Sequence, residues 1–334
     1  MRIRESIRPW ALYSIRLLIG VGILIACFTL LDVSALPAAF ARIDPLWLFV
    51  AFLMAIIGTI ILPAMVTKRA LEIDRIQLSL RELITLNFAV RFYMLTLPRA
   101  VSYGVRWVRY KNAGSGSDAL ALIVFEQLAQ IFTMTSVSAA VLAFEYPKLG
   151  AEGAGLLLFM LGSVLFVATL LLPFFVPITT RWLVHAVVLG DRLAPAFIAR
   201  RLHKLMDAVR GFHELKTNSV IILVALSFTS IAVMVLTWYV VAVAINIDVS
   251  LAAIAWVRGV LFVMLLSPIT VGGIGIREAG TVGLLHLYGV PAHEALALSL
   301  TLFGAQVAIG LIGAIIEIWR YAVQPHLAKF TRAR

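Results

Sequence analysis

Charge is scarce in this 334-residue chain: 13% of its residues are charged, against about a quarter in an ordinary soluble domain. That leaves too little polar surface to face water, which excludes a conventional soluble globule. Cysteine is scarcer, with Cys27 alone, so no disulfide framework is available. The six histidines form no His-x-x-x-His pair and there is no Cys-x-x-Cys, so neither a zinc site nor any other cofactor is expected. Phosphate-binding loops are also missing. Gly273-Ile274-Gly275 lacks the third glycine of a dinucleotide fingerprint, and Gly114-Ser115-Gly116-Ser117 lacks the lysine of a nucleotide-binding loop.

What fills the chain is apolar sequence, 62% of the total. A helix needs about 20 mostly apolar residues to cross the hydrocarbon. Ser219–Ile245 contains no charge at all, and Pro45–Val66, Gly153–Ile178 and Leu296–Ile316 are similar. Leu17–Leu31 qualifies with its Trp10–Ile15 approach, and Ala119–Phe144 qualifies although it contains Glu126. The first run is followed by no clean small-x-small cleavage site and is expected to stay as an anchor, with Cys27 as packing. These six runs predict an all-α integral membrane protein, a single polytopic domain over 1–334 with halves at 1–150 and 151–334.

The formal net charge is +11, and its distribution predicts orientation. Arg2, Arg4, Arg8 and Arg16 precede or open the first run, nine Lys or Arg lie between Lys68 and Lys111, seven between Arg181 and Lys216, and four after Glu317. The stretches 32–44, 145–152 and 246–250 hold only Arg42 and Lys148 against five acids. By the positive-inside rule both termini are expected in the cytoplasm. The same asymmetry accounts for the basic balance without a nucleic-acid partner.

Two further apolar segments are broken. Leu83–Leu97 runs into Pro98 between two basic flanks and is expected to dip in and return. Leu251–Leu287 is interrupted by Ser267-Pro268 and Gly272-Gly273-Ile274-Gly275, and reads either as a re-entrant hairpin or as two short crossings that raise the total from six to eight. Each break has Pro, Val three residues later, and Arg eight or nine residues after the Pro: Arg106 in the first, Arg277 in the second. Entering from opposite sides, the two resemble an inverted repeat of the kind transporters use. Residues 192–216 read as a basic amphipathic cytoplasmic helix, an elbow between spans or a headgroup-layer contact.

Ionisable residues at membrane depth are costly unless paired or wet, so each is a candidate. Glu126 and Gln130, four apart with Gln127 beside them, predict a polar stripe facing the bundle interior. Glu126 either carries a proton, pairs with an arginine, or joins helices by hydrogen bonds. Arg258 lies within an apolar segment, and is either buried in a span or interfacial. Arg277-Glu278 follows the glycine break at the expected start of a helix, where backbone N–H groups favour anions and an arginine fork suits a phosphodiester. Pro268, Gly272, Gly273, Gly275, Arg277 and Glu278 are thus the expected lipid site, with structural charge neutralisation as the competing reading.

Ser267 to Gly280, followed by Gly289-Val290-Pro291 and Glu294-Ala295-Leu296-Ala297, resembles the lysylphosphatidylglycerol synthase transmembrane-region family, also called flippase-like. Its layout is also similar in the first half: Ser79-Leu80-Arg81-Glu82, an apolar segment ending Leu97-Pro98, Arg106, then a helix with Glu126. Here Arg99, Ser102 and Tyr103 stand where members usually have a glycine-rich stretch. The resemblance implies translocation of an anionic phospholipid or lipid-linked intermediate in a bacterial-type cytoplasmic membrane, with lipid-synthesis enzymes as partners. Synthase members carry a large soluble domain after the membrane part. About 18 residues follow Ile316 here, so aminoacyl transfer by this chain is not expected. An intramembrane enzyme acting on lipid phosphates and a non-catalytic partner of a lipid-synthesis complex are the alternative readings.

Overall fold

The computed structural model describes residues 2–30, 34–71, 78–97, 99–114, 116–176, 179, 217–266, 269–270 and 272–323. The expected amphipathic helix at 192–216, and Pro98, Ser267 and Pro268, lie outside them. All regular structure in the described residues is helical: α1 Arg2–Leu30, α2 Leu36–Ala41, α3 Pro45–Ile56, α4 Leu62–Leu71, α5 Leu80–Thr96, α6 Arg99–Ala113, α7 Gly116–Phe175, α8 Thr217–Ala244, α9 Leu251–Met264, α10 Ile276–His286 and α11 Ala292–Val323. Four helical stretches are long and apolar enough to cross a membrane: Pro45–Ala70, Ala119–Phe175, Ile221–Ala244 and Ala292–Arg320. The protein is an integral membrane protein whose outward face is itself apolar, as Leu158, Leu165, Phe166, Leu46, Ile315 and Ile318 each stand more than half exposed.

The stretch 145–152, expected as a loop, is helical except at one residue. Gly150 adopts φ 63°, ψ −140°, a left-handed backbone that glycine alone takes without steric cost. The chain reverses there. Phe125 and Phe174, far apart along α7, meet with ring centroids 5.4 Å apart, and Val167 and Leu171 join the same buried cluster as Ala121 and Leu122. Thus α7 is a helical hairpin whose two arms correspond to the two apolar runs read from the sequence.

Between α3 and α4 a π-helical turn spans Ile57–Ile61, which the sequence reading did not anticipate. Such a turn leaves carbonyls without their usual helical partners. Here Ser230 donates to the Gly58 carbonyl at 2.9 Å and Asn87 to the Ile60 carbonyl at 3.0 Å. Buried side chains segregate into two main cores. One gathers α2, α3, the hairpin tip, α8, α9, α10 and α11 around Trp256, Leu142 and Met160; the other joins α4, α5, α6 and the hairpin ends around Tyr110, Leu122 and Leu83.

The two broken segments are both helix pairs. α5 starts on a capping box, with Ser79 Oγ accepting from the Glu82 N–H at 3.3 Å and Glu82 Oε2 accepting from the Ser79 N–H at 2.7 Å. It ends at Thr96, and α6 resumes at Arg99. α9 starts on Ser250, whose side chain accepts from the Ala253 N–H, and gives way after Met264 to the glycine turn that opens α10. Close glycine contacts seat α5 against α11: a Cβ on Gly313 would overlap the Phe88 carbonyl.

Candidate functional site

The glycine break leads directly into α10. Gly272, Gly273 and Gly275 have φ of 64°, 77° and 85°, all left-handed, so the turn is closed to L side chains. Gly275 also lies against α1, where an added Cβ would come within 2.5 Å of the Gly20 carbonyl oxygen. α10 begins immediately afterwards, and its first acid folds back: Glu278 Oε2 accepts from the Gly275 N–H at 2.7 Å. The Gly275 N–H is thereby satisfied where the helix opens.

The other Glu278 oxygen takes Arg277. Oε1 accepts from Nε at 2.9 Å and from Nη2 at 2.5 Å, and Ser299 Oγ donates to the same oxygen at 3.4 Å. Arg277 also stacks over the Phe303 ring, 4.3 Å from guanidinium carbon to centroid. Both members are buried, at 3% and 1% exposure. Gly275, Arg277 and Glu278 meet at this break, and Arg277 faces Glu278 and α11. Glu278 thus lies between a backbone donor and an arginine fork.

A second buried network surrounds Glu126. Arg106 Nη1 lies 3.1 Å from Glu126 Oε2, and Arg106 Nη2 donates to Asn87 Oδ1 at 2.7 Å. Thr67 donates to the other Glu126 oxygen, and Asn87 passes its own donor to the π-turn carbonyl of Ile60. Five elements are therefore joined through one carboxylate and one amide: α4, the π turn, α5, α6 and α7. Of the alternatives open for Glu126, the geometry contains two, pairing with an arginine and hydrogen bonding between helices. Gln127 accepts from the Tyr103 hydroxyl at 2.7 Å. Gln130 is exposed, so the expected interior stripe ends at Gln127; Gln130 shares a helix face with Glu126 by spacing, and the packing of α7 against its neighbours leaves it uncovered.

Arg258 lies within α9 and packs against α7, with Nη1 3.0 Å from the Met134 sulfur and Nε without a hydrogen-bond partner. Arg258 is half-buried there. The structure thus distributes the candidates over three places: Arg277 and Glu278 at the glycine break, Arg106 and Glu126 between α6 and α7, and Arg258 alone on α9.

Sequence reasoning missed Asn87 and Thr67, which complete the Glu126 network. Asn87 carried a usable signal, a lone amide within the apolar run Leu83–Leu97. It also missed Glu145, which accepts from the Tyr288 hydroxyl at 3.1 Å while Tyr288 accepts from Trp256 Nε1 at 2.7 Å. These bonds tie the α9–α10 element to the hairpin tip. At the other end Arg109 and Arg320 share Glu317, each at 3.3 Å.

Comparison with known families gives a match to the lysylphosphatidylglycerol synthase TM region over residues 13–314. No curated protein matches the chain.

Proposed function

The chain belongs to the lysylphosphatidylglycerol synthase TM region family, and from that premise we propose that it is a flippase-like transporter of an anionic phospholipid or lipid-linked intermediate. The match covers the membrane region of a family tied to lipid modification. The observation that carries the transport reading is the buried Arg277–Glu278 pair at the glycine break. Glu278 acts as a resident anion. A lipid phosphodiester reaching the break exchanges with its carboxylate for the Arg277 fork and the Gly275 N–H, and Glu278 returns as the lipid leaves. The opening of α10 adds partial positive charge at the same point.

Six crossings with two re-entrant helix pairs, α5–α6 from the cytoplasm and α9–α10 from outside, complete the proposal, with both termini cytoplasmic. The supports are the Gly150 reversal, which supplies two crossings from one helical stretch, and the charge distribution along the chain. The two pairs then form the inverted repeat. Backbone that leaves helical form at membrane depth is tolerated where protein or a wet cavity receives it, and the Gly275 N–H on Glu278 is an instance. Movement runs down a lipid gradient or is coupled to an ion.

Headgroup accessibility in liposomes holding purified protein tests the proposal. Arg277→Lys should retain part of the wild-type translocation per folded molecule, and Arg277→Gln should lose nearly all of it. Wild-type specific activity in folded Arg277→Gln would remove Arg277 from the mechanism. Accumulation of a chemically altered lipid would point to an enzyme instead.

A further inference from the structure

The Arg277–Glu278 pair is 3% and 1% exposed, so a lipid phosphodiester meets it only after one of the walls around the glycine break parts. Two of those walls are tethered. α11 donates Ser299 Oγ to Glu278 and lays the Phe303 ring against Arg277, and it is seated on α5 through Gly310 and Gly313. α9 is bonded to α7, where Ser138 Oγ donates to the Ala255 carbonyl at 3.2 Å, and Trp256 reaches Glu145 through Tyr288.

α1 is the third wall, and it is held differently. A Cβ on Gly20 would come within 2.9 Å of the Ile274 carbonyl oxygen and 3.3 Å of Thr270 Cβ, and one on Gly275 would meet both the Gly20 carbonyl and Ile23. The buried face of α1 is narrow: Gly20 and Cys27 are buried and Ile23 is half-buried between them, at spacings that share one side of a helix. Ile15, Leu18 and Ile25 stand more than half exposed. Among the described side chains, none on α1 hydrogen-bonds or ion-pairs with another helix; Thr29 turns back to the Ile25 and Ala26 carbonyls of its own. Lipid tails solvate an apolar helix as well as protein does, so close backbone packing is what seats such a helix. Beside Gly20, the Thr270 hydroxyl is buried with no hydrogen-bond partner among the described residues, a costly state for a donor at membrane depth.

We propose that the lipid enters the glycine break laterally, between α1 and α10, as α1 lifts from its Gly20 seat, and that the Thr270 hydroxyl is a donor to its phosphate. This rests on the exchange at Arg277 and adds to it a route and a further binding residue. The outer face of α1 is apolar, so parting α1 opens the break toward the bilayer. Thr270 donates its hydroxyl to the arriving phosphate, which then takes the Arg277 fork and the Gly275 N–H as Glu278 turns away. α1 reseats behind the departing lipid.

Cys27, the chain's single cysteine, lies on the seated face of α1 and reports its opening. Purified full-length protein is reconstituted in phosphatidylcholine vesicles with and without phosphatidylglycerol, and addition of N-ethylmaleimide to Cys27 is followed by intact mass. Phosphatidylglycerol is expected to speed labelling severalfold in the wild type and to have little effect in Arg277→Gln. Gly20→Leu, which cannot seat, should label fast in phosphatidylcholine alone, and Gly20→Ala takes its place if the leucine variant does not fold. Headgroup translocation per folded molecule should fall severalfold in Thr270→Val and return in Thr270→Ser, which restores the hydroxyl. Equal wild-type labelling in both vesicles, with translocation present and lost in Arg277→Gln, would overturn the α1 route and leave the exchange intact. Accelerated labelling with translocation unaffected by Arg277→Gln would keep the route and remove the exchange. If neither labelling nor translocation responds to phosphatidylglycerol, both fall. Wild-type translocation in Thr270→Val would strike Thr270 from the site.

Discussion

Arg106 holds Glu126 at 3.1 Å between α6 and α7, and each also meets a neutral partner, Asn87 for the arginine and Thr67 for the acid, while the buried Arg106 Nε has no hydrogen-bond partner among the described residues. Neither charge has a second carboxylate or cationic partner among the described residues. Breaking such a buried pair from one side leaves an uncompensated charge, whereas replacing both with apolar groups can be nearly neutral.

Glu126→Gln should therefore cost about 3 kcal/mol or more of stability, with the amount of folded protein falling accordingly. The double change Arg106→Met, Glu126→Leu should recover most of that loss. Thermal unfolding in micelles of the wild type, Arg106→Met, Glu126→Leu and the double variant gives the coupling. Additive single effects would mean the pair is not a unit.

The glycine turn makes an opposed pair of expectations. Gly275→Ala must hold φ near 85° and push a methyl toward the Gly20 carbonyl oxygen, so it should destabilise by at least about 1–2 kcal/mol. Gly283, inside α10, has open space where a Cβ would go, and Gly283→Ala should stabilise by about 0.5–1 kcal/mol. Equal midpoints for the two variants would contradict this account of the turn.

The capping box that opens α5 should be sensitive to acid. Hydrogen bonds from the Ser79 side chain and backbone hold the Glu82 carboxyl below its ordinary value. A depressed folded value means the contribution is full above the unfolded value and is lost as pH falls through the folded one. Wild-type stability should accordingly decline below about pH 4 more steeply than that of Glu82→Gln. Ser79→Ala should cost about 1 kcal/mol at neutral pH. Thermal midpoints across the acid range check both, and parallel wild-type and Glu82→Gln curves would exclude a role for this carboxylate.

Topology is open to direct labelling. In a background lacking Cys27, a cysteine at Glu152, beside the Gly150 reversal, should react with a membrane-impermeant reagent in intact cells. One at Gly114, where α6 ends, should react only after lysis. The reverse pattern would invert the proposed orientation.

Much of the site's composition was legible before any coordinates. Arg277-Glu278 after a glycine break is a local pattern, and the turn, the helix start and the carboxylate returning to Gly275 all form within a few residues. Arg106 and Glu126 were each visible as charges in apolar surroundings, but not as partners, because twenty residues of chain and a helix boundary separate them. Gln130 shows the opposite limit. It shares the i, i+4 spacing with Glu126, yet the rotation of α7 against α6 leaves it exposed, and no spacing rule specifies that rotation.

The sequence by itself determined the helical membrane class, the apolar runs and the places where they break, because a hydrocarbon surround demands long apolar helices and penalises every exception locally. The tertiary structure alone decided which buried charge meets which. Glu278 takes Arg277, Glu126 takes Arg106, and Arg258 meets a thioether because helix packing sets rotation and depth through many small side-chain contacts. Those contacts join residues that are remote along the chain, as at Phe125 and Phe174, and local sequence carries no record of them.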